Sequence, residues 1–121
     1  IEDAVNKLFT LKQKPDAIIT TSDKLTTGCL KTLLRRGLRV PDDIALVGFS
    51  NSDLVELLSP PLTVVRQPAM EMGKAATELL LQLIESKREI TQFENRILTP
   101  QLIIGKSSVK QPMHTLSNPI L

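Results

Sequence analysis

The chain has 121 residues, a formal net charge of +2 and a single cysteine, Cys29. This length is enough for one domain with a hydrophobic core. The nearly balanced charge argues against a nucleic-acid or membrane surface on electrostatic grounds. A lone cysteine excludes an internal disulfide and a cysteine metal cluster, and it suits a reducing compartment. Because no apolar run approaches membrane-spanning length and no signal peptide opens the chain, we expect a cytoplasmic protein without a membrane partner.

The first third of the chain predicts a helix, a strand and a second helix. The first helix, up to about residue 11, has its apolar positions at Ile1, Ala4, Val5 and Leu8. The β-branched run Ala17–Thr20 follows a polar break and indicates a short strand. The second helix extends from about Lys24 to Arg36, and its apolar face consists of Leu25, Cys29, Leu30, Leu33 and Leu34.

The stretch from residue 37 to residue 51 predicts a helix end, a turn and a buried strand. Gly37 supplies the positive φ that helix ends often need, and Pro41 prevents the helix from continuing. Asp42 and Asp43 have side chains that can close a turn on their own backbone. The apolar run Ile44–Val47 is typical of a strand that is covered on both faces in a parallel sheet.

The second half of the chain repeats the alternation of helix and strand. Its predicted elements are a short helix at Asp53–Leu58, a strand at Leu62–Val65, a helix from Pro68 to about Ser86, and strand-like runs at Phe93–Leu98 and Leu102–Ile104. The helix that opens with Pro68 has a methionine and leucine stripe, which is typical of a core-facing surface. Pro100 indicates that one of the last two strands lies at a sheet edge or crosses between subdomains.

These alternating short strands and amphipathic helices predict an α/β fold of three layers. We expect a mostly parallel, doubly wound sheet built from Ala17–Thr20, Ile44–Val47 and Leu62–Val65, with helices on both faces. Residues 1–106 form the folded unit in this prediction. Residues 107–121, which include His114, have no periodicity and are expected to be a loose tail.

A specific sequence pattern resembles a known family. A glycine-ended helix is followed by L-R-V-P-D-D-I, a hydrophobic strand, V-G-F, and then P-P-L-T at Pro60–Thr63. This order resembles the effector-binding region of LacI/GalR-type bacterial transcription regulators, and the resemblance extends from about Pro15 to Ser107. It implies a type I periplasmic-binding-protein-like fold, in which two α/β subdomains close on a small molecule and control a DNA-binding head. Residues 1–106 would then be the C-terminal subdomain, and DNA would be contacted only through a head that this chain lacks.

The predicted ligand site lies at the carboxyl ends of the strands, where ligands bind in open α/β sheets. The resemblance implies that Ser22 lines the effector pocket, at a position where the family usually has asparagine. It also implies that Ser50 stands where the family most often has an aspartate, and that Gln67 approaches the effector. Asn51 is a candidate to compensate for the missing carboxylate. Asp23, beside Ser22, is the fifth predicted ligand-binding residue. Each of the five has an alternative explanation as a helix cap or a turn residue.

The excess of apolar residues on two helices predicts a contact surface. The short helix after Ser52 has more leucine and valine than one buried face requires, and the resemblance implies that this segment and the preceding long helix form a homodimer interface. The predicted interface residues are Leu25, Cys29, Leu54 and Leu58. Ordinary packing within the chain is the alternative explanation.

No catalytic constellation is found in the sequence. The chain has one histidine, so a Ser-His pair for a nucleophile and a histidine zinc site are not indicated. Gly48 does not belong to a G-x-G-x-x-G run. We therefore expect no enzyme activity, no cofactor and no metal. The leading hypothesis is the effector-sensing part of a transcription regulator that binds a sugar-like small molecule; a soluble or periplasmic sugar carrier of the same fold and an α/β enzyme subdomain are the alternatives.

Overall fold

The structure of the protein is a computed structural model that describes residues 1–86 and 94–110. Three α-helices lie at Glu2–Leu8 (α1), Asp23–Arg35 (α2) and Ala69–Glu85 (α3). Four strands lie at Ala17–Ile19 (β1), Ala45–Phe49 (β2), Thr63–Arg66 (β3) and Gln101–Ile103 (β4). Short 3-10 helices occupy Asp53–Glu56 and Lys106–Ser108. In the described ranges, no helix has the length and hydropathy that crossing a bilayer requires.

The four strands form one sheet in the order β1-β2-β3-β4. β1 and β2 are parallel, with Ile18 beside Leu46, and β2 and β3 are parallel, with Val47 beside Thr63. β4 joins β3 in the antiparallel sense, with Val65 beside Leu102. The predicted α/β fold with a mostly parallel sheet is therefore confirmed, and β4, which follows Pro100, lies at the sheet edge.

The core lies between α1, α2 and one face of the sheet. Its fully buried members are Leu33, Ile44, Leu46 and Val64, each with an exposed fraction of 0%. Cys29, Leu30, Val5 and Leu62 complete the same cluster. Along β2, buried and half-buried residues alternate, because successive side chains point to opposite faces of a sheet. The apolar residues that recur with helical spacing in α1 and α2 thus pack against the apolar residues of the strands in a single core layer.

Gly37 ends α2 in the predicted way. Its φ is +72°, a conformation that residues with a Cβ rarely adopt. Gly37 N–H donates to Leu34 C=O at 2.9 Å, and Leu38 N–H donates to Leu33 C=O at 3.1 Å. This pair of bonds is the Schellman arrangement, which satisfies two carbonyls that the last helical turn leaves free. Leu38 then packs against the core, so the helix end also directs the chain toward β2.

An ion pair between Arg39 and Asp43 closes the turn before β2. Asp43 accepts hydrogen bonds from the backbone N–H of Arg39 at 2.8 Å and from its guanidinium at 2.8 and 3.1 Å. The side-chain and backbone hydrogen bonds from Arg39 lower the pKa of Asp43 to about 2. A carboxylate that accepts such bonds is stabilised in its charged form, so its proton binds only at low pH.

We therefore predict an acid-dependent contribution from Asp43 to stability. Because its folded pKa of about 2 lies below the ordinary aspartate pKa of 3.8, the contribution is fully present above pH 4 and is lost as the pH falls through 2. Urea unfolding of wild type and Asp43→Asn from pH 7 to pH 2 measures it. Wild type should be more stable at pH 7, and the difference should shrink below pH 4. A difference that stays constant over this range would contradict the assigned role.

Two sequence predictions about the second half need correction. Residues 94–98 of the predicted strand Phe93–Leu98 form no strand, and Phe93 lies outside the described residues. Arg96 instead pairs with Glu78 at 2.7 Å and Glu94 at 2.8 Å, and Ile97 is 95% exposed. The predicted core stripe of α3 is also wrong for the described part of the chain. The helix is present, but none of its residues is buried, because no described element covers its apolar face.

The predicted boundary between fold and tail at residue 106 is too early. Ser107 is fully buried, and its hydroxyl lies between two strands. Ser107 Oγ donates to Leu46 C=O of β2 at 2.5 Å and accepts from Thr63 N–H of β3 at 2.8 Å. Thr63 Oγ1 in turn bonds to Ser108 Oγ at 2.6 Å. These contacts join the end of the described chain to the start of β3; residues 111–121 of the predicted tail lie outside the described residues.

We predict that Ser107→Ala destabilises the protein by about 2–4 kcal/mol, because each buried backbone group left unpaired costs roughly 1–3 kcal/mol. Ser108→Ala is the matched control. It should cost less than about 1 kcal/mol, since Thr63 Oγ1 keeps its bonds to the N–H and C=O of Gly105. Denaturant unfolding of the three proteins makes the comparison. Equal losses in the two variants would show that Ser107 does not hold the strands.

Candidate functional site

The carboxyl ends of β1, β2 and β3 meet at one edge of the sheet and form a polar cavity of about 300 Å³. Parallel strands place their carboxyl ends at the same edge, so residues that are far apart in sequence become neighbours there. The lining residues are Thr21, Ser22, Asp23, Phe49, Ser50, Asn51 and Gln67. All five predicted ligand-binding residues are among them. The predicted cluster is therefore present, while its role in ligand binding stays a prediction.

Ser22 performs the capping role that the sequence offered as its alternative. It is the N-cap of α2, and its Oγ accepts a hydrogen bond from Leu25 N–H at 3.4 Å. This contact is long for a hydrogen bond to a backbone N–H. Ser22 is exposed, and no described residue accepts its hydroxyl proton, so Ser22 can donate to a ligand while its oxygen caps the helix. Capping and ligand contact are compatible at this position.

Ser50 lies deeper than the other lining residues. It is 3% exposed, and its hydroxyl donates to the Oδ1 of Asp23, at the start of α2. The same oxygen accepts a hydrogen bond from Ser52 N–H at 3.1 Å. The backbone N–H of Ser50 donates to Val65 C=O of β3 at 3.2 Å. Ser50 thus connects the end of β2 to both neighbouring elements, α2 and β3.

The side chain of Asn51 is committed to the backbone of Gln67. Asn51 Nδ2 donates to Gln67 C=O at 2.8 Å, and Asn51 Oδ1 accepts from Gln67 N–H at 2.8 Å. Both ends of the amide are therefore engaged by one residue. This paired contact joins the chain just beyond β2 to the chain just beyond β3. The side chain of Gln67 takes no part in this contact, and Gln67 is exposed and lines the cavity.

The electrostatics of the cavity are set by one carboxylate. Asp23 is the single ionisable residue among the seven that line it. Among the described residues, no lysine or arginine forms an ion pair with Asp23 within 4.0 Å. The lining is otherwise made of hydroxyls, amides and the half-buried ring of Phe49. Such a surface provides hydrogen-bond acceptors and donors but no cation for an anionic ligand.

Sequence reasoning did not select Thr21 and Phe49 as ligand-binding residues. Phe49 is the last residue of β2, and its place in the alternation of the strand could have indicated that it points away from the core. A second cavity of about 270 Å³ adjoins the first on the far side of Gln67; it is lined by Arg66, Gln67, Pro68, Glu71, Thr99 and Gln101. No sequence signal pointed to it, since it joins the start of α3 to residues that lie far along the chain.

The predicted dimer patch is only partly exposed. The prediction that Cys29 belongs to a surface patch is wrong, because Cys29 is 1% exposed and packs in the core. Burial there raises the pKa of its thiol. Leu25 and Leu54 are 39% and 67% exposed, whereas Leu58 is half-buried against the core. Helical spacing alone placed Cys29 on the same stripe as Leu25. It could not tell which side of that stripe faces the sheet.

An apolar groove of about 340 Å³ lies beside the predicted patch. Its lining residues are Thr27, Leu30, Lys31, Leu34, Arg35 and Leu58. Leu34 on α2 is 51% exposed, and Leu57, next to Leu58, is 81% exposed. The sequence assigned Leu34 to the buried face of α2 and left Leu57 out of the interface. Both residues add exposed apolar surface near Leu58.

The described residues contain no group of three or more histidine, cysteine, aspartate or glutamate side chains that could hold a metal ion. His114 lies outside the described residues. The candidate site in the described part of the chain is thus a hydrogen-bonding cavity, whose chemistry is suited to recognition of a polar organic molecule.

Residues 1–108 match the family model of the periplasmic binding protein-like domain, and the chain belongs to this family. Within it, the chain is part of an effector-binding domain of the LacI type. The HTH-type transcriptional repressor PurR of Photobacterium profundum is 38% identical over 106 residues, which cover 87% of this chain and 31% of the repressor. The chain thus spans about a third of the length of the curated relatives it matches.

Solved structures of LacI-family regulators have the same fold. The LacI family transcriptional regulator from Mycobacterium smegmatis superposes with a TM-score of 0.73 and 28% identity, covering 88% of this chain and 40% of that one. The LacI family transcriptional regulator from Enterococcus faecium, solved with bound ribose, superposes with a TM-score of 0.71 over 92% of this chain and 40% of that one. Its identity of 23% supports the likeness of the fold alone.

Proposed function

We propose that this chain is the effector-sensing part of a cytoplasmic transcription regulator that binds a sugar or a related small metabolite. The observation that supports this proposal is the polar cavity at the carboxyl ends of β1, β2 and β3, lined by Ser22, Asp23, Ser50, Asn51 and Gln67. A crevice at this edge of an open α/β sheet is the usual position for a ligand. The relatives are transcriptional repressors, and one neighbour in structure holds ribose.

The effector is held in this proposal between two subdomains, and the present chain provides one wall. A cavity lined on one side leaves much of a ligand exposed, whereas small-molecule sites bury most of the ligand surface. Closure of a second subdomain over the rim would complete the site and change the position of a DNA-binding head. DNA is contacted only through that head, and this chain acts as a sensor without enzyme activity, cofactor or membrane partner.

Gln67→Ala tests the ligand role of the cavity. Gln67 is exposed and lines the cavity, and its contact to Asn51 uses only its backbone, so the variant should remove a ligand contact while the contact to Asn51 remains. One lost neutral hydrogen bond is worth roughly 0.5–1.5 kcal/mol, so the affinity for D-ribose should fall about 3- to 10-fold. Calorimetry of the intact regulator measures it.

Gln101→Ala is the matched control for this experiment. Gln101 has the same side chain and lines the neighbouring cavity instead. Its affinity for D-ribose should equal that of wild type. The intact protein should also bind DNA upstream of its own gene, and D-ribose should change that binding. Ligand binding without any DNA binding would favour the alternative function, a sugar-binding carrier of the same fold, and loss of affinity in both variants would contradict the assigned site.

We further propose that the regulator is a homodimer that uses the apolar groove beside α2. The supporting observations are the groove lined by Leu30, Leu34 and Leu58 and the exposure of Leu54 and Leu57 on the adjoining segment. Lys31 and Arg35 at the groove edge give it a polar border, as contact surfaces of oligomers often have. A second copy of the chain can bury this surface. Leu25 is nine residues from Leu34, so the two residues lie on opposite sides of α2 and Leu25 is outside this groove.

Leu34→Glu should shift the intact protein toward monomer in sedimentation velocity, because it places a charge in a surface that association would bury. Leu34 is a cleaner test than Leu58, which also packs against the core. Leu81→Glu on α3 is the control, since Leu81 and Leu34 have nearly equal exposed fractions of 50% and 51%. A wild-type monomer, or an equal effect of the two variants, would contradict the interface.

A further inference from the structure

The wall of the cavity has three polar side chains near the end of β2 that differ in what they can offer a ligand. Asn51 has both ends of its amide engaged by the backbone of Gln67, each at 2.8 Å. Ser50 uses its proton toward Asp23 and accepts from Ser52 N–H. A serine hydroxyl has one donor and two acceptor sites, so Ser50 keeps a single lone pair. Neither residue is therefore a strong free contact.

Asp23 is the opposite case. Its Oδ1 receives the proton of Ser50, and its Oδ2 has no hydrogen-bond partner among the described residues. An ionised carboxylate accepts hydrogen bonds at both oxygens and has about four lone-pair sites. Asp23 is exposed and lines the cavity, so its unused acceptor sites are accessible from the rim. The hydrogen bond from Ser50 fixes the direction in which they point.

The surroundings of Asp23 determine which ligand chemistry suits it. The other six lining residues are uncharged, and the described chain offers no ion pair to Asp23. A carboxylate without a cation attracts hydroxyl and amino donors and repels anions. Hydrogen bonds to an ionised acceptor are about twice as strong as those between neutral groups. One carboxylate can thus outweigh the neutral contacts from Ser22 and Gln67.

We propose that Asp23 is the residue of this wall that selects the ligand, with Ser50 as a positioning residue that orients the Asp23 carboxylate. The ligand then presents hydroxyl or amino donors to this wall and no anionic group. This inference rests on the proposed effector site and adds the ligand class to it. The carboxylate that the family resemblance leads one to expect at position 50 is provided from the first residue of α2 instead.

Binding of D-ribose to the intact regulator tests the roles of the two residues. Asp23→Asn should weaken binding roughly 10- to 100-fold, because it replaces a charged acceptor by a neutral amide. Ser50→Ala should weaken binding less, and it should have no further effect in the Asp23→Asn background. Ser52→Ala, which removes a neighbouring hydroxyl whose bond goes to Leu54 N–H, is the control and should bind as wild type does. Unchanged or tighter binding by Asp23→Asn would overturn the proposal.

A second measurement needs no ligand. The carboxyl ¹³C resonance of Asp23 reports the hydrogen bond from Ser50, so it should shift in Ser50→Ala and stay in place in Ser52→Ala. An unshifted resonance in Ser50→Ala would overturn the positioning role. If wild type binds D-ribose 5-phosphate and no neutral sugar, the ligand class is wrong. If it binds neither sugar nor sugar phosphate while the resonance shifts as expected, the proposed function fails and the positioning role of Ser50 stands.

Discussion

The close approach of α2 to β2 at Gly48 is the constraint on which the site depends. A Cβ built on Gly48 would lie 2.5 Å from Thr26 Oγ1 and closer still to Thr26 Cγ2, so only glycine fits beneath the helix at this point. Thr26 is fixed there by two hydrogen bonds, one with Thr20 Oγ1 and one to Ser22 C=O, both at 2.8 Å. Thr20 and Thr26 are buried, so the hydrogen bond between their hydroxyls replaces hydrogen bonds to water that burial removes.

This packing explains why the rim residues meet. Ser22 and Asp23 precede Thr26 by one helical turn, and Ser50 follows Gly48 by two residues. Because Thr26 packs against Gly48, the N-terminus of α2 lies beside the end of β2. Asp23 of α2 is then close enough to accept the hydrogen bond from Ser50. Farther along the sheet, Asn51 holds the end of β3 and Ser107 holds its beginning. Side-chain contacts therefore hold β2 and β3 together at both ends of the two strands.

Much of the fold could be predicted from the sequence, because it depends on local periodicity. The parallel strands, α2 and the Gly37 helix end follow from apolar spacing and from the conformational freedom of glycine. The position of the cavity followed from the rule that parallel strands end at one edge. These inferences needed only residues that are close in sequence or a property of the sheet as a whole.

The remaining features depend on contacts between distant residues. Ser107 is 61 residues from the carbonyl of Leu46, and no local pattern marks it as buried. Ser50 and Asp23 are 27 residues apart in sequence. Because Ser50 donates its proton to Asp23, Ser50 acts as a positioning residue and not as a direct ligand contact. Cys29 shares a helical stripe with exposed Leu25, yet it lies on the side that faces the sheet. Periodicity identifies an apolar stripe, but the orientation of the helix on the sheet decides which members are buried.

A crystal structure of the intact Gly48→Ala variant would test the dependence of the site on this packing most directly. The added methyl group must displace Thr26, whose short side chain is held by two hydrogen bonds, so the start of α2 should move away from β2. The Ser50–Asp23 hydrogen bond should be lost, while the Asn51–Gln67 pair should be retained. An unmoved α2 with the Ser50–Asp23 bond intact would contradict it.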